Sequence, residues 1–195
     1  MEPQSSLQKA NSQHRFFIAL LPPSQIQDKA SEIQQYFSDR YDSRAAQKSP
    51  PHITLQPPFE WPAATVESLQ TSLAAFAMRH SALPITLSGF GAFPPRVIYI
   101  NVLKTPNLMS LQQALTVHME AKLNIVDQRS RRRPYTPHLT IAFRDLKPSA
   151  FRKAWPEFAT RSLHLQFMAD QLTLLIHTGR RWIVSQALPF GGLAG

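Results

Sequence analysis

"SPPHITLQPPF", residues 49–59, returns in altered form as "YTPHLTIAF", residues 135–143. Both copies contain Pro-His-(Ile/Leu)-Thr-(Leu/Ile), and both end on Phe. Side chains on a strand alternate between faces, so His52 and Thr54 point one way and Ile53 and Leu55 the other. The same alternation sets His138 and Thr140 against Leu139 and Ile141. The apolar pair of each copy can enter a core, which leaves an imidazole and a hydroxyl together on the opposite sheet face. Pro51 and Pro137 donate no backbone hydrogen bond and suit the first residue of a strand.

The chain around the two copies is ordered alike. "FFIALLPP" (16–23) reads as a buried strand stopped by prolines, and a helix is expected from Ser24, as its N-cap, to Tyr41. "PHITLQ" is a strand, 63–79 a helix, and "LPITLSGFGAF" (83–93) a strand and turn. The order then restarts with "VIYINVL", a helix over 107–123, "PHLTIAF", a helix over 148–159 and "LHLQF". "QLTLLIHT" and "RWIVSQALPF" close the chain as two strands parted by Gly179. This order predicts an α+β fold duplicated into two lobes, with antiparallel-rich sheets lining a central cleft and helices outside. Residues 1–14 are expected to be flexible, and 15–190 to form one bilobal domain of two pseudo-repeats, 15–93 and 97–190.

The chain has 195 residues and no cysteine, which excludes disulfides, Cys-zinc sites and a thiol nucleophile. No apolar run approaches the roughly 20 residues needed to span a membrane, and no signal layout opens the chain, so a cytoplasmic protein is expected. The net charge of +9 is uneven: residues 128–195 carry 11 Lys/Arg against 3 Asp/Glu. The excess begins at "RSRRRP" (129–134) and suggests an anionic partner such as nucleic acid, or else a solvated basic loop.

Two imidazoles across one cleft suit proton transfer in both directions near neutrality. Threonine hydroxyls can hydrogen-bond the non-bridging oxygens of a phosphate. The set therefore suits in-line displacement at phosphorus, one His taking a proton and the other giving one. No HExxH, acidic cluster, phosphate-binding glycine loop or GxSxG elbow is present, so neither a catalytic metal nor a cofactor is expected. His14, His80, His118, His164 and His177 lack the repeated frame and read as surface or packing residues.

With its two His-hydrophobic-Thr-hydrophobic strands, the chain resembles the 2H phosphoesterase superfamily, and within it the bacterial RNA 2′,3′-cyclic phosphodiesterases, or 2′-5′ RNA ligases. "RFFIALLPP" is similar to the opening strand of that family and "GFGAFPPRVIYINV" to its segment between lobes. The resemblance implies metal-independent opening of 2′,3′-cyclic phosphates of RNA ends or nucleotides to 2′-phosphates, with 2′-5′ ligation as the reverse. It implies His52 as acid to the departing 3′ oxygen, His138 as base toward water, and Thr54 and Thr140 as phosphate contacts.

The resemblance also implies an Arg after the second motif; here that slot is Phe143, with Arg144 next. Arg129, Arg131, Arg132, Arg133 and Arg144 are thus candidate phosphate contacts, and Tyr135 and Phe59 candidate base-stacking residues. Two alternatives stay open: a non-catalytic RNA-binding module of the same fold, and a phosphodiesterase for ADP-ribose 1″,2″-cyclic phosphate. No obligate protein partner is evident.

Overall fold

The computed structural model describes residues 12–128 and 133–192. Its elements are β1 (Gln13–Leu20), α1 (Ser24–Tyr41), β2 (Ile53–Pro62), α2 (Val66–Ala77), β3 (Leu83–Phe93), β4 (Val97–Val102), α3 (Pro106–Leu123), β5 (His138–Ala142), α4 (Pro148–Thr160), β6 (His164–Ala169), β7 (Gln171–His177) and β8 (Trp182–Pro189). β1 begins at Gln13, so residues 13 and 14 belong to the sheet rather than to a flexible start.

The expected α1 span holds, but its cap does not. Pro23 takes the extended N-cap position with no side-chain bond, and Ser24 is already helical. α3 is capped as the sequence pattern favours: Thr105 accepts from Leu108 N at 3.3 Å and Pro106 opens the first turn. Both 18-residue helices end on a left-handed residue, Asp42 after α1 and Asn124 after α3.

The strands run in the order β6-β3-β4-β5-β2-β1-β7-β8, with every neighbour antiparallel. The two four-stranded lobes meet between β2 and β5 at a single recorded pair, Ile53 opposite Leu139. Each lobe draws strands from both halves of the sequence: β3 joins β4 and β5, whereas β7 and β8 join β1 and β2. Phe16, Ile18 and Leu20 of β1 enter the main core with the apolar faces of all four helices. Phe17 and Ala19 turn to the other sheet face, where they cluster with Leu175.

The helices cross the seam. α1 packs on β5, and the buried Gln34 donates from Nε2 to the Thr140 carbonyl at 3.1 Å. α3 packs on β2, and Gln112 Nε2 donates to the Leu55 carbonyl at 3.4 Å. Tyr135 Oη donates to the Thr54 carbonyl at 2.9 Å. Where the strands part after one pair, side chains supply donors that the ladder does not, as buried carbonyls require.

Candidate active site

Both motifs show the burial alternation that their sequence predicts. Ile53, Leu55, Leu139 and Ile141 are 0–1 % exposed, while His52, Thr54, His138 and Thr140 are only partly buried. In the antiparallel register set by Ile53 and Leu139, His52 lies across from Thr140 and Thr54 across from His138. The two histidines come near enough for the His138 charge to lower the pKa of His52. Four side chains from two distant segments thus share one sheet face.

The imidazoles are held in matching ways. His52 Nδ1 is 2.7 Å from the Pro50 carbonyl, and His138 Nδ1 is 2.7 Å from the Thr136 carbonyl. A carbonyl only accepts, so Nδ1 carries the proton in each ring and Nε2 of the neutral ring is left as a base. The i−2 carbonyl is available because each His follows a proline (Pro51, Pro137) in the same extended frame.

The His52 imidazole is held down at about 4, chiefly by burial, with the Pro50 carbonyl opposing and the His138 charge adding to the fall. His138 is also lowered, by burial, against the opposing effect of the Thr136 carbonyl. Each ring rests on aromatics. His52 packs on Phe17 at 4.7 Å, and Phe17 meets Trp182 at 4.7 Å. His138 packs on Tyr99 at 5.1 Å and on Phe93 at 5.2 Å. Tyr99 sits over Gly91, where any β-carbon would strike the phenol ring. None of Phe17, Trp182, Tyr99 or Phe93 stood out in the sequence. Their signal is non-local, since they come from β1, β8, β4 and β3 and meet the motifs only through strand pairing.

Other sequence candidates fall elsewhere. Tyr135 does not present its ring for stacking: it packs against the core and its hydroxyl holds Thr54, with burial raising its pKa. Phe59 is paired with Phe16 and packs on the helix-side core, 6.1 Å between ring centroids, on the face it shares with Ile53 and Leu55 by the two-residue period of β2. Arg144 is exposed in a left-handed conformation (φ 58°), beyond the end of β5, with its guanidinium 5.0 Å over Phe143.

Asp145 anchors that turn to the loop leading to His52, accepting from Ser43 Oγ at 2.9 Å and from Arg44 N and Ala45 N at 2.7 and 2.8 Å. Arg133 is exposed, and Arg129, Arg131 and Arg132 lie outside the described residues. Among the described residues no group of three His, Asp or Glu could hold a metal ion. No helix among them is long and apolar enough to cross a membrane.

Residues 22–181 match the family model of the 2′-5′ RNA ligase superfamily. A protein of Geobacillus kaustophilus named "Putative phosphoesterase" is 29% identical over 182 residues, covering 91% of this chain and 97% of that one. A protein of the same name from Bacillus cytotoxicus is 35% identical over 127 residues, 64% of this chain and 67% of the relative. In fold, the chain is similar to E. coli LigT complexed with 3′-AMP, with a TM-score of 0.67, 20% identity and coverage of 93% and 100%. It is likewise similar to a protein of Thermus thermophilus, with a TM-score of 0.65, 18% identity and coverage of 91% and 98%.

Proposed function

Because the chain belongs to the 2′-5′ RNA ligase superfamily, we propose that it is a phosphodiesterase opening 2′,3′-cyclic phosphates of RNA ends or nucleotides to 2′-phosphates. In 2′-5′ joining a 5′-hydroxyl takes the place of water as the nucleophile on the same cyclic phosphate, and the 3′ oxygen again departs. His138 takes a proton at Nε2 from the attacking water as its oxygen bonds to phosphorus. The bond from phosphorus to the 3′ oxygen breaks, and His52 gives that oxygen a proton from Nε2. Thr54 and Thr140 donate to the non-bridging oxygens, and no metal takes part. Both histidines recover their starting protonation by exchange with solvent.

The observation that carries the reading is the matched pair of Nδ1–carbonyl bonds. They leave two Nε2 atoms on the sheet face that also bears two hydroxyls. Burial leaves both rings neutral at neutral pH in the free protein. An anionic phosphate between them favours the charged imidazolium, so the acid's proton is held best once substrate is bound.

Incubation with 2′,3′-cyclic nucleotides and a cyclic-phosphate-ended oligonucleotide, followed by phosphorus NMR, tests the proposal. The expected product is a 2′-phosphate that persists in EDTA. His52→Ala and His138→Ala should each lower kcat by about 10²–10⁴-fold. Full activity in either variant sinks the reading, and activity abolished by EDTA transfers it to a metal.

A further inference from the structure

On the same sheet face as His52, beyond Phe17, Trp182 stands half-exposed at the start of β8. Three neighbours orient its indole. Phe17 meets it edge-on at 4.7 Å, His177 at 4.8 Å, and the Arg15 guanidinium lies 5.7 Å from the ring centroid. The last distance is near the outer limit of roughly 6 Å for such contacts, so Arg15 can turn to an anion without losing a tight partner. Trp182 and Arg181 also border an open trough of about 540 Å³, walled on its other side by Gln27, Ser31 and Gln35 of α1, which reaches Pro50 and Pro51 but is not lined by His52. Its size lies within the roughly 300–1,000 Å³ of small-ligand sites. A cation-flanked aromatic already fixed by packing is the kind of surface on which an unpaired base stacks with little ordering.

We propose that Trp182 is the nucleobase-binding residue of the site, so that the substrates are nucleotides rather than cyclic phosphate esters lacking a base beside the reacting phosphate. The proposal rests on the phosphodiesterase reading for the reaction, though not for the binding. Through two ring contacts the indole lies within about two aromatic ring spacings of His52, so one nucleotide can reach both. Trp182 thereby takes the role that Tyr135 and Phe59, turned to the core, do not fill. The rival platform is Phe93, 40 % exposed beside His138.

The test compares wild type, Trp182→Ala, Trp182→Phe and Phe93→Ala, with folding checked by circular dichroism. Turnover is measured on 2′,3′-cyclic AMP and on the base-free glycerol 1,2-cyclic phosphate. Binding of 2′-AMP and of inorganic phosphate is measured by calorimetry. Trp182→Ala should reduce kcat/KM for the cyclic nucleotide about tenfold more than for the base-free ester. It should also narrow the preference for 2′-AMP over phosphate by a similar factor, and Trp182→Phe should restore most of both.

Equal losses on the two esters overturn the subsite, as does a selective loss confined to Phe93→Ala. A wild type that binds 2′-AMP no better than phosphate overturns it too, whatever the turnover. A wild type that binds 2′-AMP selectively through Trp182 but turns over neither ester overturns the phosphodiesterase reading alone.

Discussion

The carbonyls of Pro50 and Thr136 fix both imidazoles as Nδ1–H tautomers, so the chemistry of each ring is confined to Nε2. The pH profile follows from their burial. In the free protein His52, the proposed acid, holds its proton only near and below about 4, and His138, the proposed base, also titrates below the ordinary imidazole range. Since kcat/KM reports ionisations of the free enzyme, its maximum should lie below pH 6.5, with a fall on the alkaline side. The two apparent values belong to the pair, because the charge of one ring lowers the other. The alkaline limb of kcat should lie at higher pH, where bound phosphate favours the imidazolium. Initial rates from pH 4 to 8 check this; a kcat/KM maximum at or above pH 7 contradicts the lowered titration of the pair, whichever ring is the acid. Thr54→Val and Thr140→Val should each lower kcat/KM by about tenfold, as expected for one hydrogen bond to an anion.

At the scale of elements, the seam between β2 and β5 explains why buried polar side chains surround a largely apolar junction. Tyr135, Gln34 and Gln112 reach the carbonyls of Thr54, Thr140 and Leu55. Tyr135→Phe keeps the ring and removes one donor, so it should destabilise the fold by about 1 kcal/mol. It should lower the rate by loosening Thr54 while leaving base preference unchanged. Urea unfolding and the ratio of kcat/KM for purine and pyrimidine cyclic nucleotides measure the two effects; a changed ratio would return Tyr135 to base recognition. The motif strands were legible in the sequence because a two-residue period and a repeated frame are local features. The seam was not, because nothing near Gln34 or Gln112 shows that α1 lies on β5 and α3 on β2. Phe59 is a different case: it stands six residues after Ile53, so the two-residue period alone puts it on the core face, where it meets Phe16.

For the whole molecule, the restart of the element order at residue 97 foretold two lobes but not their exchange of strands. Pairing of β3 with β4, and of β7 with β1, is settled by tertiary contacts that periodicity does not encode. The same packing buries histidines at two separate places. His52 and His138 lie at the β2–β5 seam, while His80 and His118 flank Phe76 at 4.3 and 5.0 Å where α2 meets α3. Burial lowers the pKa of all four; Arg79 adds to it for His80, and Arg79, Lys122 and His80 for His118, opposed there by Ser72. Between the unfolded value of about 6.5 and the lower folded values, the unfolded chain binds more protons than the native one. Stability therefore rises with pH across that window and is lost as pH falls through it. Thermal unfolding should show Tm falling from pH 7 to pH 5, in a chain whose net charge of +9 grows as its histidines protonate. His118→Gln should flatten the dependence, because it removes one titrating ring remote from the cleft while keeping a polar partner for Ser72. A Tm constant or rising toward pH 5 would show that the folded histidines bind protons as readily as the unfolded ones, and would remove the basis for expecting an acid-shifted rate optimum.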